Sequence, residues 1–227
     1  MFYFDSYYLI LVLPAIVISL IAQAKVSSTY KKYSQVMSRE AKTSTEVARA
    51  ILDANGLYAV KVEAVSGTLS DHYDPRANVI RLSDSVRSDV SVASIGVAAH
   101  EVGHAIQHAQ GYAPIKVRNA ILPVANIGSH LSIPLIIAGI ILSVEPLVTV
   151  GILAFAAVLL FQLVTLPVEF NASTRALKTL EDRGILYGDE LIGAKKVLSA
   201  AAMTYVAAAL TSLMQLIRLI LISRDRD

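Results

Sequence analysis

His100, Glu101 and His104 form the pattern His-Glu-x-x-His, which reads HEVGH in this chain. The surrounding residues are small and apolar, so we predict one continuous helix over residues 92–109. Residues four apart on a helix share a face, so both imidazoles can bind the same zinc ion. The carboxylate of Glu101 lies beside them and can accept a proton from a water molecule whose pKa zinc has lowered. The pattern therefore predicts a hydrolytic zinc site with Glu101 as general base.

The apolar character of residues 92–99 argues against a chance match to the pattern. A polar, solvated helix face can carry the same residues without binding a metal. Here the apolar residues before the motif indicate a largely buried helix. Two histidines and a glutamate on a buried helix need partners, because burying a charged group without one is costly. A metal ion supplies such a partner.

A catalytic zinc ion needs a third protein ligand while one position stays open for water. His108 lies eight residues after His100, about 12 Å along a helix, which is too far to share the metal. We interpret His108 as a structural residue or as one that orients a ligand. His130 lies inside an apolar segment, where it is either functional or hydrogen-bonded within a bundle. His72 fits an exposed loop or strand. Glu169 follows an apolar segment and fits either the third ligand or a charge at a membrane boundary.

The composition indicates a membrane protein that has little affinity for nucleic acid. The chain has 227 residues, of which 55% are hydrophobic, with a mean hydropathy of +0.57, and the apolar residues are concentrated in long segments. The net charge of +2 comes without a basic cluster of the size that nucleic-acid binding needs. The chain has no cysteine, so disulfides and thiolate metal sites are excluded. A metal here must bind histidines and carboxylates.

The first apolar segment is long enough to cross about 30 Å of hydrocarbon. Asp5 precedes this segment and the bases Lys25, Lys31 and Lys32 follow it, which is the reverse of a cleaved signal peptide. We therefore predict that residues 1–24 are a retained transmembrane anchor. By the positive-inside rule, the lysines place the next hundred residues in the cytoplasm, and we expect the protein in the plasma (inner) membrane.

Two more apolar segments follow each other closely, separated only by Glu145 and Pro146. We predict that residues 119–168 form a transmembrane hairpin, which returns residues 169–199 to the cytoplasm. The last apolar run, within residues 200–227, is rich in alanine and fits either a fourth membrane span or a helix packed inside the protein. The expected fold is a mainly α integral membrane protein with three to four transmembrane helices.

The polar residues 25–118 have the size of a small α+β catalytic domain. Thr43 followed by Glu46 is typical of a capping box at a helix start. Residues 58–65 alternate between apolar and polar types, and residues 78–82 are a short β-prone run after a turn signal. We therefore predict one helix and two strands before the helix that carries the histidines.

The string AAHEVGHAIQHAQGY, the hairpin and the later string LPVEFNAS resemble the YugP-like bacterial membrane zinc metallopeptidases. That family is similar in layout to the HtpX-type membrane proteases. The likeness covers most of the chain, because both motifs and the hairpin occur in the same order. It implies a membrane-bound zinc endopeptidase with a zincin-like domain of the gluzincin kind and one zinc ion per chain. It also implies that Glu169 is the third zinc ligand.

The resemblance implies two further groups of site residues. HtpX-type proteins carry an aspartate where this chain has Ser173, and the serine hydroxyl can still hydrogen-bond a ligand imidazole, although more weakly than a carboxylate would. In the same proteins an edge strand before the motif binds the substrate backbone by strand addition. The matching residues here are Asn78, Val79, Ile80, Arg81 and Leu82.

Two alternatives belong to other classes of membrane protein. A site-2-type intramembrane metalloprotease also carries His-Glu-x-x-His, but it takes its third ligand from a Leu-Asp-Gly-like string that this chain lacks. A non-catalytic protein that binds or transports zinc would not need Glu101, and a closed zinc site would need a fourth ligand. For the endopeptidase, the predicted substrates are polypeptides near the bilayer, either membrane proteins or unfolded chains.

Overall fold

The computed structural model describes residues 5–225, and within them the chain is mostly helical with one small sheet. A short π-helical segment, Tyr8–Val12, leads directly into the first α-helix. The helices are α1 (Leu13–Tyr33), α2 (Ser44–Ala54), α3 (Asp84–Arg87), α4 (Val92–Ala109), α5 (Ala113–Leu142), α6 (Glu145–Asp182) and α7 (Asp189–Arg224). The strands are β1 (Lys61–Val65), β2 (His72–Asp74) and β3 (Val79–Ser83).

Four helical segments of the described residues are long and apolar enough to cross a membrane. They are Tyr8–Tyr33, α5, α6 and α7. The last apolar run of the sequence lies inside α7, so the number of candidate spans is four. The expectation of a mainly helical chain with several membrane spans and a small sheet is confirmed. The direction in which the spans cross stays a prediction.

The chain divides into two compact units. One contains residues 5–23, Ala113–Pro167 and 203–225, and we call it the helical unit. The other contains Ala24–Tyr112 and Val168–Ala202, and we call it the sheet unit. Helices α1, α6 and α7 each contribute residues to both units.

Close contacts at glycines pack α5 against α6 in the helical unit. A Cβ placed on Gly151 would lie 2.8 Å from the carbonyl oxygen of Ser132, and one placed on Gly139 would lie 2.7 Å from Val148. Only a residue without a side chain permits such an approach, as in other tightly packed membrane helices. The connection between the two helices is short, and Ser143 within it adopts a left-handed conformation with φ of 54°.

Polar residues in α1 and α7 are paired within the helical unit. The hydroxyls of Ser19 and Thr211 lie 2.9 Å apart. Arg218, which interrupts the last apolar run, is buried, and its Nε donates a hydrogen bond to Oδ2 of Asp5 at 3.0 Å. These pairings explain how α7 accommodates a charge within an apolar stretch, because a paired charge costs far less to bury than an isolated one.

The sheet unit has its own hydrophobic core between α2, the sheet, α4 and the segments of α6 and α7 that belong to it. Helix α2 begins with the predicted capping box, in which Thr43 accepts a hydrogen bond from the amide of Glu46 and its own amide donates to the Glu46 carboxylate. The largest fully buried apolar side chains in this core are Ile51, Leu52, Ile80, Leu82, Ile95, Leu180 and Leu186. This core fixes the helix that carries the histidines.

The strand order in the sheet is β1, β3, β2, with β1 parallel and β2 antiparallel to β3. The expected strand over residues 78–82 therefore forms as β3, but it is the central strand. Val79, Ile80 and Arg81 pair with strands on both sides, and Asn78 and Leu82 bond to β1, so this segment does not form a free edge. The prediction that these residues add a substrate strand is wrong for this reason.

Candidate metal centre

Helix α4 places His100 and His104 on one face. The helix starts after Ser91, whose side chain accepts a hydrogen bond from the amide of Ser94, and it ends at Ala109 as predicted. The two imidazole rings are 4.7 Å apart between centroids and nearly perpendicular, at 86°. This is the arrangement that a spacing of four residues gives on a helix, and it lets one nitrogen of each ring point at a shared position.

Helix α6 brings Glu169 to the same position from a distant part of the chain. Its Oε2 lies 3.3 Å from Nε2 of His100 and 3.6 Å from Nε2 of His104. One ligand atom from each of the three residues lies within 4.8 Å of the others. The three residues that were predicted as ligands are therefore gathered at one point within the sheet unit.

A glycine allows the two helices to approach closely enough for this convergence. A Cβ on Gly103 would lie 2.6 Å from the carbonyl oxygen of Ala172 in α6. Real Cβ atoms are essentially never that close to another heavy atom. Gly103 lies between the two histidines in sequence, so the variable position of the motif has a structural requirement of its own.

The environment of Glu169 fits a bound cation. Its side chain is only 5% exposed, and no atom of residues 5–225 donates a hydrogen bond to its Oε2. A buried carboxylate oxygen without a donor is unfavourable, and a divalent ion would satisfy it. Two imidazoles and one carboxylate are also the ligands that a catalytic zinc ion takes, with a fourth position left open. The residues present therefore fit zinc.

Each histidine is held through its other ring nitrogen. Nδ1 of His100 lies 3.1 Å from the Ser173 hydroxyl, one turn after Glu169 on α6. Nδ1 of His104 lies 3.0 Å from Oε1 of Gln107. Metal-binding histidines usually have such a partner, which fixes the orientation of the ring. Ser173 was predicted from the sequence and Gln107 was not, although an amide three residues after a ligand on the same helix could have indicated this role.

Glu101 is buried and makes one backbone contact. Its residue exposure is 9%, and its Oε2 accepts a hydrogen bond of 2.9 Å from the amide of Tyr73 in β2. Burial raises the pKa of Glu101 above its usual range, and the nearby His100 and His104 partly oppose this shift. A carboxyl group with a raised pKa is better suited to exchange protons near neutral pH than an exposed one.

The remaining histidines lie elsewhere. The ring of His108 packs against that of Tyr73, at 5.4 Å between centroids, and His108 is not part of the metal group. Nδ1 of His72 lies 2.8 Å from the carbonyl oxygen of Ser70, and its side chain is exposed, as expected for a loop or strand residue. His130 is exposed on α5 in the helical unit. The role proposed for His108 as an orienting residue stays a prediction.

Comparison with known proteins gives the family of the chain. The family described as "Putative neutral zinc metallopeptidase" matches residues 8–224. This protein belongs to that family. It is 48% identical over 215 residues to the "Putative membrane protease YugP" of Bacillus subtilis (strain 168), which covers 95% of this chain and 96% of the relative. No solved structure matches the chain.

Membership of this zinc metallopeptidase family confirms the resemblance that the two sequence motifs indicated. The match extends from the start of the first apolar helix to the end of α7, so it includes both the metal group and the four candidate spans. The chain is therefore a membrane protein of a zinc metallopeptidase family.

Proposed function

We propose that the protein is a membrane-bound zinc endopeptidase of the zincin type, in which His100, His104 and Glu169 hold the metal and Glu101 is the general base. The observation that carries the proposal is the buried Glu169 oxygen without a hydrogen-bond donor, facing the Nε2 atoms of both histidines. With a glutamate as third ligand, the site is of the gluzincin kind.

Each residue of the site has a separate role in the proposed reaction. Zinc, when bound, lowers the pKa of a water molecule and polarises the scissile carbonyl. The Glu101 carboxylate accepts the proton of the attacking water and then donates it to the amine that leaves. In the substrate-free structure the amide of Tyr73 holds the Glu101 side chain beside the metal group. The Ser173 hydroxyl and the Gln107 amide orient the two imidazoles.

Strand β2 is the edge of the sheet on which we expect a substrate to bind. It pairs with β3 on one side only, and on its other side the amide of Tyr73 reaches Glu101 on α4. An extended peptide added to this side would pass the metal group. Peptides that carry an N-methyl group at backbone positions flanking the scissile bond should be cleaved more slowly than the unmodified peptide. Equal rates for both would exclude strand addition.

The proposed substrates are polypeptides near the bilayer, and the proposed location of the site is the cytoplasmic side of the plasma membrane. Glu169 directly follows the apolar part of α6, which favours membrane proteins or unfolded chains close to the membrane as substrates. The positions of Lys25, Lys31 and Lys32 after the first span support the cytoplasmic orientation.

The architecture argues against an intramembrane protease of the site-2 type. Helix α4, which carries the histidines, is not among the four candidate spans of the described residues. The third ligand position is occupied by Glu169, which does not belong to a Leu-Asp-Gly-like string. A zinc transporter or a structural zinc protein would not require the buried carboxylate of Glu101.

The test compares full-length, detergent-purified wild type with Glu101→Gln in zinc content and casein hydrolysis. Because an amide cannot accept the proton of water, we expect Glu101→Gln to keep one zinc ion per chain and to lose hydrolysis by at least about 100-fold. Undiminished hydrolysis in Glu101→Gln would remove this residue from the mechanism. Zinc binding without any hydrolysis by the wild type would favour the non-catalytic alternative.

A further inference from the structure

Gln107 connects the metal group to a chain of polar side chains on α6. The Gln107 residue is fully buried, and its Nε2 donates hydrogen bonds to the carbonyl oxygen of Val168 at 2.8 Å and to Oδ1 of Asn171 at 3.0 Å. Nε of Arg175 donates to the same Asn171 oxygen at 2.7 Å, and Nη1 of Arg175 donates to Oε1 of Gln110. The chain therefore extends from a zinc ligand to the surface.

The donor and the acceptor in each hydrogen bond of this row of side chains follow from the chemistry of the residues. A guanidinium group can only donate, so the Asn171 atom that faces Arg175 must be the oxygen. A backbone carbonyl can only accept, so the Gln107 atom that faces Val168 must be the amide nitrogen. Both constraints assign the same orientation to Gln107, and its oxygen is the atom that faces His104.

This orientation selects one tautomer of the His104 ring. An amide oxygen can only accept a hydrogen bond, so Nδ1 of His104 must carry the proton. In the neutral ring the free lone pair is then on Nε2, which is the atom that lies 3.6 Å from Glu169 at the metal position. The neutral ring thus presents its lone pair at the metal position.

His100 differs from His104 in this respect. Its Nδ1 faces the hydroxyl of Ser173, which can either donate or accept a hydrogen bond. The Ser173 contact orients the His100 ring but does not by itself select the tautomer. The partner of His104 therefore determines the tautomer of its ring, whereas the partner of His100 does not.

We propose that Gln107 is a positioning residue that fixes the tautomer of His104 for zinc binding, and that Asn171 and Arg175 hold Gln107 in the orientation this requires. The proposal rests on the proposed function, because it assumes that His104 is a zinc ligand. It adds a requirement that the His-Glu-x-x-His pattern does not contain, namely an amide three residues after the second histidine with two acceptors facing it from α6.

The decisive experiment compares the zinc affinities of Gln107→Met and Gln107→Glu, measured by competition with a chelator on full-length protein in detergent. Methionine has a similar length but offers no comparable acceptor, so we expect a loss of zinc affinity of about 10-fold or more. Glutamate keeps an oxygen for His104 Nδ1, so Gln107→Glu should bind zinc more tightly than Gln107→Met. The cobalt(II) absorption spectrum should change in Gln107→Met and stay close to wild type in Gln107→Glu.

A role of Gln107 in helix packing alone predicts the opposite order. In Gln107→Glu a carboxylate oxygen faces two other oxygens, those of Val168 and Asn171, so that variant would be the more damaged one. Gln110→Glu is the control for added negative charge, since it places a carboxylate six residues after His104 and keeps an oxygen for Arg175. Gln107→Glu binding zinc no better than Gln107→Met, or Gln107→Met binding like wild type, would overturn the proposal.

A second pair of variants applies even where Gln107→Met does not fold. Asn171→Asp keeps oxygens for both Arg175 and Gln107, whereas Asn171→Leu removes them. We expect Asn171→Asp to keep the zinc affinity of wild type and Asn171→Leu to lose several-fold, with the thermal stability of the zinc-free protein as the folding control. Equal zinc affinity in this pair would overturn the proposal. Failure of the wild type itself to bind zinc would instead contradict the proposed function.

Discussion

The sheet unit and the helical unit each bring two helices together at a glycine, but the surroundings of these glycines differ. In the sheet unit, Gly103 of α4 faces the backbone of Ala172 in α6, and one turn later the side chain of Gln107 reaches across to α6. In the helical unit, Gly128 and Gly151 place α5 against α6 in the same manner, among mostly apolar neighbours. The same device therefore serves two purposes.

The difference shows what a close helix approach contributes in each region. At Gly103 the short separation lets two imidazoles on one helix and a carboxylate on another reach a common point. A larger residue there should therefore reduce hydrolytic activity. At Gly128 and Gly151 the short separation lets backbones pack without intervening side chains, so a larger residue there should reduce stability. Substitutions at the glycines can separate these two consequences.

The largest effect is expected for Gly103→Ala. The new methyl group would lie 2.6 Å from the Ala172 carbonyl oxygen, so the backbone of α4 or α6 must move. A displacement of about 1 Å at a catalytic group can cost about 100-fold in rate, so casein hydrolysis should fall at least that much and zinc content should drop. Gly96→Ala on the same helix is the control, because its methyl group would make an ordinary 3.4 Å contact with Ala194. Wild-type activity in Gly103→Ala would show that the close approach is not required.

A smaller effect, on stability alone, is expected for Gly128→Ala. Its methyl group would collide with the carbonyl oxygen of Ala154, and overpacking of this kind costs about 1–3 kcal/mol, more than the gain of about 1 kcal/mol in helix propensity. The apparent Tm in detergent should decrease while the folded protein keeps one zinc ion per chain. Ile127→Ala, at a neighbouring exposed position, should change the Tm little. Loss of zinc without loss of Tm in Gly128→Ala would contradict the distinction between the two regions.

The smallest effect on activity is expected for cysteine variants that report which side of the membrane a segment faces. The chain has no cysteine, so single cysteines can be introduced and labelled without background. By the positive-inside rule, Ser70→Cys in the sheet unit should be protected from an impermeant thiol reagent in intact cells, whereas Glu145→Cys at the tip of the α5–α6 hairpin should react. Both variants should keep activity. The reverse labelling pattern would invert the proposed orientation.

Local signals in the sequence predicted α2, α4 and two of the three strands of the sheet unit, whereas β2 and the short helix α3 were not predicted. The apolar helix with HEVGH has the bounds that were predicted, and the capping box at Thr43 is present. The strands begin later than predicted, for local conformational reasons. Asn78 adopts a left-handed conformation with φ of 52°, so β3 starts at Val79, and the amide of Val60 bonds back to Leu57 in a turn before β1.

Features that depend on pairing between distant segments were predicted less well. The β-prone run of residues 78–82 indicates a strand but carries no information on its neighbours, so the central position of β3 was missed. The hydrogen bond from Gln107 to Val168 joins residues 61 apart, and Gly103 packs on Ala172, which is even further away in sequence. Glu169 could be named because the family resemblance, rather than spacing, carried that information.

The most direct test of the metal centre is the zinc content of Glu169→Ala, measured with casein hydrolysis on the same full-length preparation. Removing one of three ligands should lower zinc occupancy and activity together, whereas Glu101→Gln should lower activity alone. Glu181→Ala, at an exposed position further along α6, should leave both unchanged. If Glu169→Ala retained one zinc ion per chain and normal hydrolysis, the proposed site of His100, His104 and Glu169 would be contradicted.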